Sequence, residues 1–450
     1  MRQIRLILIL LVVATTAAAA AFPPINYKHR VLPNGLEVFS AQDRSTPTVA
    51  IHVWYRVGSK NDPEGRSGFA HLFEHIMFKA TRHMKAEMMD RLTEDVGGWN
   101  NASTYDDMTP YFEVVPSNYL ETLLWAEADR MGGLTVDEAN FKSERDVVKE
   151  EYRFRVLAPP YGRFFNAIEP SSLVKHPYRR PGIGSMEDLD AATLDDVRAF
   201  HATFYRPDNA ALIVVGDFDQ QQFDAWVDKY FAPIPKPSTP IPVVDVQEPA
   251  RTAEKRVPVY APNVPLPAVA LTYLAPAASS PDSYPLAIAE AVLSQGESSR
   301  LYERLVRSGI AQEAFANADL RADLGLFAAA AIMASGHDVG EAEKIIREEL
   351  QKIQDAPISA AELEKAKNQI ITSALRERET SNGKAFAIGE ALVVHKDASI
   401  VNTGLARLQA VTAADVQNVM KKTIGGGKAV VITYMDESKR DAKKSEGGAK

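Results

Sequence analysis

The sequence of 450 residues contains no cysteine, which excludes disulfide bonds and a lipid-modified cysteine, so hydrophobic cores must stabilise the fold. Histidine-rich tracts are also absent, which argues against a metal-buffering protein. The formal net charge of −8 argues against nucleic acid as a partner. It agrees with a protein whose acidic interior receives basic peptides. No long apolar run follows residue 21, so the mature protein is expected to be soluble, with no membrane contact after leader cleavage.

One apolar run does occur, within residues 1–21. It begins with Arg2 and Arg5, continues with aliphatic residues and ends with small residues. This order predicts a secretory signal peptide cleaved near Ala21, and a retained membrane anchor is the alternative. Because an exported chain of this size without cysteine is typical of bacteria, we expect a periplasmic or secreted protein.

The most informative segment is residues 68–78. His71 and His75 are four residues apart, so on a helix they project from the same face, and Glu74 lies beside them. His-x-x-Glu-His is the inverted form of the zinc-protease signature, and a chance match is the alternative explanation. The apolar residues between them predict a buried helix whose polar side faces a wet pocket: Leu72, Phe73, Ile76 and Met77.

A third metal ligand is predicted on a later helix, over residues 137–156. A catalytic zinc typically has three protein ligands, and two histidines with one glutamate form an established set. The helical pattern places Glu144, Val147, Val148 and Glu151 on one inward face, whereas Glu150 turns towards solvent. Glu151 is therefore the predicted ligand. Glu144 is assigned to the catalytic site as an orienting group, with a direct role left open, and a solvated acidic helix is the alternative.

These segments together resemble the pitrilysin/insulysin family of zinc metallopeptidases, the inverzincins, close to its mitochondrial-processing-peptidase-like branch. The interval between the two segments is similar to the interval in that family. The resemblance implies one Zn²⁺ per chain, bound by His71, His75 and Glu151, with Glu74 as the general base. It covers most of the mature chain.

The family resemblance also implies substrate-binding residues. Residues 101–104 resemble the family's Asn-Ala-x-Thr edge strand, to which an extended substrate adds, and this implies three contacts: Asn101, Ala102 and Thr104. Residues 296–307 resemble a segment in which the family often carries an arginine that helps to hold substrate, which implicates Arg300 and Arg307. The family's accompanying tyrosine is replaced here, because Gln312 stands near the expected position.

The second part of the chain repeats the first. Residues 189–197 are echoed by residues 408–416, and residues 47–51 by residues 267–271, at nearly the same offset, with chance similarity as the alternative. This predicts two tandem homologous α+β domains, each a mixed or antiparallel sheet with helices packed on it. The expected divisions are a catalytic domain over 22–231, a proline-rich linker over 232–256, an inactive domain over 257–436 and a charged tail over 437–450. The corresponding helix at 285–293 contains no histidine, so the second domain cannot build a similar site.

Local patterns predict several further elements. They are a hairpin turning at Asn34-Gly35, a helix over 83–96, strands within 99–115, one continuous helix over 190–205 and a buried strand over 210–216.

The predicted function is therefore an exported zinc-dependent endopeptidase that cleaves unfolded peptides. The family resemblance implies a chamber closed by four such domains, and this chain supplies two, so it is expected to dimerise. Its intact metal motif and missing tyrosine predict the catalytic subunit of a heterodimer, whose partner is a homologous chain with the Arg/Tyr pair and without the metal motif. A self-sufficient homodimer is the alternative assembly. A non-catalytic scaffold or peptide-binding subunit is the alternative function, and the intact metal motif argues against it.

Overall fold

The computed structural model describes residues 22–426 and 428–440. The predicted signal peptide and most of the predicted charged tail lie outside the described residues. Within the described ranges, every helix is too short or too polar to cross a bilayer.

The first half of the chain forms a six-stranded sheet with the order β1-β2-β6-β3-β5-β4 and helices around it. Its elements are β1 (Lys28–Val31), β2 (Glu37–Gln42), β3 (Thr48–Tyr55), α1 (Phe69–Ile76), α2 (Met88–Glu94), β4 (Trp99–Ala102), β5 (Thr109–Pro116), α3 (Leu120–Gly133), α4 (Glu138–Tyr152), α5 (Gly162–Asn166), α6 (Ile168–Ser172), α7 (Met186–Ala191), α8 (Leu194–Phe204), β6 (Ala210–Gly216) and α9 (Gln220–Tyr230).

The second half forms a five-stranded sheet with the order β7-β11-β8-β10-β9. Its elements are β7 (Lys255–Ala261), β8 (Ala268–Ala275), α10 (Ser283–Ser294), β9 (Ala311–Asp319), β10 (Gly325–Met333), α11 (Val339–Asp355), α12 (Ala360–Glu377), α13 (Ser381–Val393), α14 (Ile400–Ala410), α15 (Ala413–Ile424) and β11 (Val430–Asp436).

The two sheets have the same topology, which confirms the predicted duplication. The order β2-β6-β3-β5-β4 corresponds strand for strand to β7-β11-β8-β10-β9. The first pair is parallel in both halves, and the other pairs are antiparallel. The repeated sequences also start a helix in the same way in both halves. Thr193 forms a capping box with Asp196 at the start of α8, and Thr412 forms one with Asp415 at the start of α15.

The local predictions hold in part. The hairpin pairs Lys28 with Ser40, and Gly35 adopts the positive φ of +91° that its turn requires. The predicted helix over 83–96 is shorter, because α2 covers only Met88–Glu94. The predicted continuous helix over 190–205 is wrong. The chain breaks between α7 and α8, since the Thr193 side chain accepts the Asp196 N–H and starts a new helix.

The predicted linker region is irregular but lies against the first half. Residues 232–254 contain no helix or strand. The buried Arg206 guanidinium donates hydrogen bonds to the carbonyl oxygens of Pro237 at 2.7 Å and Thr239 at 2.8 Å. These bonds fix the path of the segment along the domain surface, whereas the exact domain boundaries stay predictions.

The two halves share a core built on helix α13, which packs over the first sheet. Trp54 of β3 is 1% exposed, and Gly389 of α13 faces its indole ring. Nearby, the buried His52 ring accepts the Trp54 indole N–H at 3.2 Å and lies 2.9 Å from the Asn382 side chain. The second half is thus in direct contact with the sheet of the first half.

Substitution of Gly389 is expected to weaken this contact. A Cβ atom at this position would lie 2.3 Å from Cε2 of Trp54, so helix α13, strand β3 or the indole ring must move. Gly389→Ala should therefore lower the free energy of unfolding by about 1–3 kcal/mol, measured by urea denaturation. Gly404→Ala on α14 is the matched control, because its Cβ would meet only ordinary contacts of 3.4 Å or more. Equal stability of the two variants would contradict this packing.

Candidate metal centre and active site

Helix α1 carries the His-x-x-Glu-His motif, and its start is fixed by a buried carboxylate. Asp62 accepts backbone N–H groups from Gly68 at 2.7 Å and from Ala70 at 2.9 Å. These bonds satisfy donors that a helix N-terminus leaves free. Burial raises the pKa of Asp62 to about 7, although the hydrogen bonds oppose that shift. Gly68 adopts a φ of +91°, which lets the chain turn sharply into the helix.

The apolar side of α1 is buried in the first-half core, as the motif pattern predicts. Its apolar residues are at most 1% exposed: Phe69, Leu72, Phe73 and Ile76. His71 is 8% exposed, and Glu74 and His75 are half-buried on the other side of the helix. The packed face therefore fixes the direction in which the three polar side chains project.

The structure brings Glu151 of α4 to both histidines. His71 Nε2 lies 3.5 Å from Glu151 Oε2, and His75 Nε2 lies 3.3 Å from the same oxygen. One potential ligand atom from each of the three residues lies within 4.8 Å of the others. Both histidines therefore present the same ring nitrogen to a single point beside the carboxylate.

These distances fit a tetrahedral zinc ion. With bonds of about 2.0–2.2 Å, neighbouring ligand atoms of such an ion lie about 3.3–3.6 Å apart. Two of the three spacings at this cluster, 3.3 and 3.5 Å, correspond to that geometry. Two imidazoles and one carboxylate are also a donor set that zinc enzymes use, with one coordination position left for water.

Helix α4 selects between its neighbouring glutamates. Glu150 is exposed and forms an ion pair with Arg153, whereas the Glu151 side chain is only 17% exposed. Phe141, Glu144 and Val148 form the buried stripe of the helix. The predicted inward position of Val147 is wrong, because this side chain is 45% exposed.

Glu144 lies on the Nδ1 side of the His75 ring, whereas the Nε2 side faces Glu151. Its Oε2 is 3.7 Å from His75 Nδ1, and its Oε1 is 2.9 Å from Lys79 Nζ. Burial raises the pKa of Glu144, but the contacts with His75 and Lys79 outweigh burial and hold the pKa below its usual value. A carboxylate on the second nitrogen of a ligand histidine typically orients the ring.

The two histidines have opposite electrostatic environments. Burial and the neighbouring His75 lower the pKa of His71 to about 4. Burial also lowers the pKa of His75, but the carboxylates of Glu144 and Glu151 outweigh it and raise the pKa to about 9. A proton on His75 would compete with a metal ion for the ring nitrogen.

Glu74 lies beside the cluster and is held by the segment that follows β4. The Thr104 hydroxyl donates to Glu74 Oε2 at 2.6 Å. Burial raises the pKa of Glu74 above the usual value of a glutamate, whereas the Thr104 hydrogen bond lowers it. A carboxylate with a raised pKa, fixed next to a metal centre, can accept a proton from water near neutral pH.

The predicted edge strand is at the edge of the sheet. β4 pairs only with β5 in the described sheet, so its other side presents unpaired backbone groups. Asn101 is exposed there, and Ala102 is 5% exposed. Thr104 follows the end of the strand, and its hydroxyl is directed towards Glu74.

The predicted arginines of the second half are not brought to this cluster by any described contact. Arg300 forms a two-pronged ion pair with Glu362 of α12, at 2.7 and 3.1 Å. Arg307 lies 2.7 Å from Glu303 on its own helical turn. Gln312 is exposed on the edge strand β9. Substrate contacts from Arg300 and Arg307 therefore stay predictions.

Several residues at the site were not predicted. Lys79, which contacts Glu144, follows His75 by one helical turn, and that spacing was a usable signal. Arg155 Nε lies 2.9 Å from Glu151 Oε1, the oxygen that does not face the histidines. Asp62 gave no local signal, since its role depends on a loop that folds back to the start of α1.

Comparisons with known proteins identify the family. Residues 37–157 match the family description "Insulinase (Peptidase family M16)", and residues 191–370 match "Peptidase M16 inactive domain". The chain is 33% identical over 368 residues to the zinc protease PqqE of Helicobacter pylori, covering 80% of this chain and 82% of that protein. It thus has the fold of a two-domain metallopeptidase, and it belongs to peptidase family M16, which confirms the predicted resemblance.

Other relatives extend this likeness. A probable mitochondrial-processing peptidase subunit beta of Arabidopsis thaliana is 25% identical over 402 residues, covering 87% of this chain and 75% of that protein. A solved protease from Helicobacter pylori has a TM-score of 0.88 and 30% identity, covering 92% of this chain and all of that chain. The first half of the periplasmic protease PqqL from Escherichia coli shares the fold, with a TM-score of 0.74 at 20% identity.

Proposed function

We propose that this chain is a zinc-dependent endopeptidase that cleaves unfolded peptides or polypeptide segments. The observation that carries the proposal is the convergence of His71, His75 and Glu151 on one point, with Glu74 beside it. The names of the relatives support zinc as the metal, since the Helicobacter pylori relative is called a zinc protease. The second half lacks these residues and would contribute packing and substrate contacts.

Each side chain has a separate task in the proposed reaction. His71, His75 and Glu151 would hold the ion, which when bound supplies an acidified water and polarises the scissile carbonyl. Glu74 accepts the proton of the attacking water and then delivers it to the leaving nitrogen. Glu144 orients His75, and Arg155 occupies the second oxygen of Glu151.

The proposed substrate lies extended along β4. The unpaired backbone of this edge strand can add the peptide as a further strand, so main-chain hydrogen bonds would supply affinity with little sequence preference. Asn101 is exposed along this edge, and Thr104 connects its end to Glu74. This arrangement favours unfolded segments, because a folded protein seldom offers a free strand.

Zinc dependence tests the proposed function. The purified chain should contain one zinc ion, cleave denatured casein, lose this activity with a chelator and regain it when zinc is added. Glu150→Gln should behave as the unmodified chain, because this carboxylate is exposed and forms an ion pair with Arg153. Cleavage that persists in chelated, metal-free protein would contradict the proposal.

We also propose export through the predicted leader over residues 1–21. The basic start and the small-residue end of this segment support it. Fractionation of the native cells, with N-terminal sequencing of the protein, should place a chain that begins near Phe22 outside the cytoplasm. A cytoplasmic chain with an intact N-terminus would contradict export.

The proposed assembly is a heterodimer with a homologous chain that has the Arg/Tyr pair and no metal motif. Gln312 in place of the expected tyrosine supports it. Adding that partner should raise kcat/KM about 100-fold or more, because positioning of the substrate is a large part of the barrier reduction. Activity should be titrated against partner, with stoichiometry followed by light scattering. Full activity in a homodimer would contradict the heterodimer and favour the alternative assembly.

A further inference from the structure

The loop between β9 and β10, residues 320–324, lies against the first half of the chain. It contacts the segment that follows the edge strand β4. Arg321 Nε is 3.0 Å from Asp106 Oδ2. The backbone N–H of Ala322 donates to Asp107 Oδ2, also at 3.0 Å. The second half therefore binds two consecutive carboxylates of the segment that joins β4 to β5.

A second set of contacts strengthens this junction. The Tyr178 hydroxyl donates to Asp107 Oδ1 at 2.6 Å and accepts the Asp323 N–H at 3.2 Å. Lys60 Nζ lies 2.7 Å from both Asp107 and Asp323, one from each half of the chain. Asp107 is 6% exposed, so these bonds form in a largely dry environment, where they are stronger than at the surface.

The segment held in this way also carries Thr104. Its backbone closes a turn, since the Tyr105 N–H donates to the Met108 carbonyl at 2.9 Å. Thr104 precedes that turn, and its hydroxyl donates to Glu74 at 2.6 Å. A displacement of the turn would therefore move the hydroxyl away from the proposed general base.

We propose that the β9–β10 loop is a positioning element for Glu74, acting through the 104–108 segment, and that Arg321 is its principal residue. The catalytic part of this inference rests on the proposed peptidase function, whereas the structural part does not. It gives the second half, which has no metal motif of its own, a direct effect on the reaction in the first half.

Arg321 is suited to this role by its surroundings. It is 8% exposed and its guanidinium contacts three carboxylates, those of Asp106, Asp319 and Glu169. The guanidinium also lies 5.0 Å from the centre of the Tyr178 ring. Without the cation, three neighbouring carboxylates would repel one another, and Asp106 of the turn after β4 would lose its ion pair with the second half.

The test compares Arg321→Met with Lys384→Met. Lys384 on α13 also forms an ion pair across the two halves, with Asp43, but no described contact connects that pair to Thr104. In Arg321→Met, amide hydrogen exchange of residues 103–108 should accelerate about tenfold or more. The kcat should fall about tenfold or more, with KM within about threefold and unchanged zinc content. Lys384→Met should show neither change.

The two readouts separate this inference from the proposed function. Exchange at residues 103–108 that stays as slow in Arg321→Met as in Lys384→Met overturns the positioning role, whatever the activity. If the unmodified zinc-loaded chain cleaves nothing, either alone or with the homologous partner subunit, the proposed function fails, and the exchange result still decides whether the loop positions the segment. A loss of kcat that simply follows loss of zinc also overturns it.

A second pair of variants tests whether the Thr104 hydroxyl positions Glu74. This test does not depend on the folding of Arg321→Met. Thr104→Val removes the hydrogen bond to Glu74, whereas Thr104→Ser retains it. We expect about tenfold or more loss of kcat in Thr104→Val and recovery in Thr104→Ser, with zinc content equal in both. Equal kcat in the two variants overturns the proposed route.

Discussion

The Glu74→Gln variant is expected to retain about one zinc ion per chain and to lose peptide cleavage by about 10²–10⁴-fold or more. The substitution removes the group that accepts the proton of the attacking water. It leaves the three grouped metal-binding side chains unchanged, and the new amide oxygen can still accept the Thr104 hydroxyl. The loss should therefore appear in kcat rather than in folding or metal content.

Single-turnover kinetics with parallel metal analysis measures this effect. Glu138→Gln is a suitable control, because that carboxylate is exposed at the start of α4 and contacts Lys142. The control should match the unmodified chain. Cleavage by Glu74→Gln within tenfold of the unmodified chain would show that another group accepts the proton.

A second large effect is expected at Glu151. Loss of a group that only hydrogen-bonds to a metal ligand typically lowers metal affinity about 10–100-fold. Because Glu151 would itself bind the ion, Glu151→Gln should lower zinc affinity by more than this, and activity should fall with it. Glu150→Gln should change neither, since its exposed ion pair with Arg153 contributes about 0–1 kcal/mol to stability. Zinc titration with a competing chelator measures both variants. The reverse result would place the wrong glutamate at the metal.

The buried face of a helix can be predicted from the sequence when its apolar side chains form one continuous stripe. On α1 the alternation of apolar and polar residues is complete, so the direction of His71, Glu74 and His75 follows from local pattern. On α4 the stripe is narrow, and Val147 falls beside it, although the choice of Glu151 over Glu150 agrees with their exposure. Because α4 buries only a narrow stripe of side chains, Val147 beside that stripe remains exposed.

Contacts between distant segments could not be predicted in the same way. The Thr104 hydroxyl meets Glu74 because β4 ends beside α1, which depends on the order of strands in the sheet. The bond between Arg321 and Asp106 joins two domains and has no local signal. The break before α8 has a local signal, because Thr193 and Asp196 have the spacing of a capping box.

The most direct test of the metal centre is a crystal of the zinc-loaded chain measured on both sides of the zinc absorption edge. One anomalous peak is expected in the first half, bonded to His71 Nε2, His75 Nε2 and an oxygen of Glu151 at about 2.0–2.2 Å. A zinc peak bonded to other residues, or no peak in protein that contains one zinc per chain, would contradict the proposed centre.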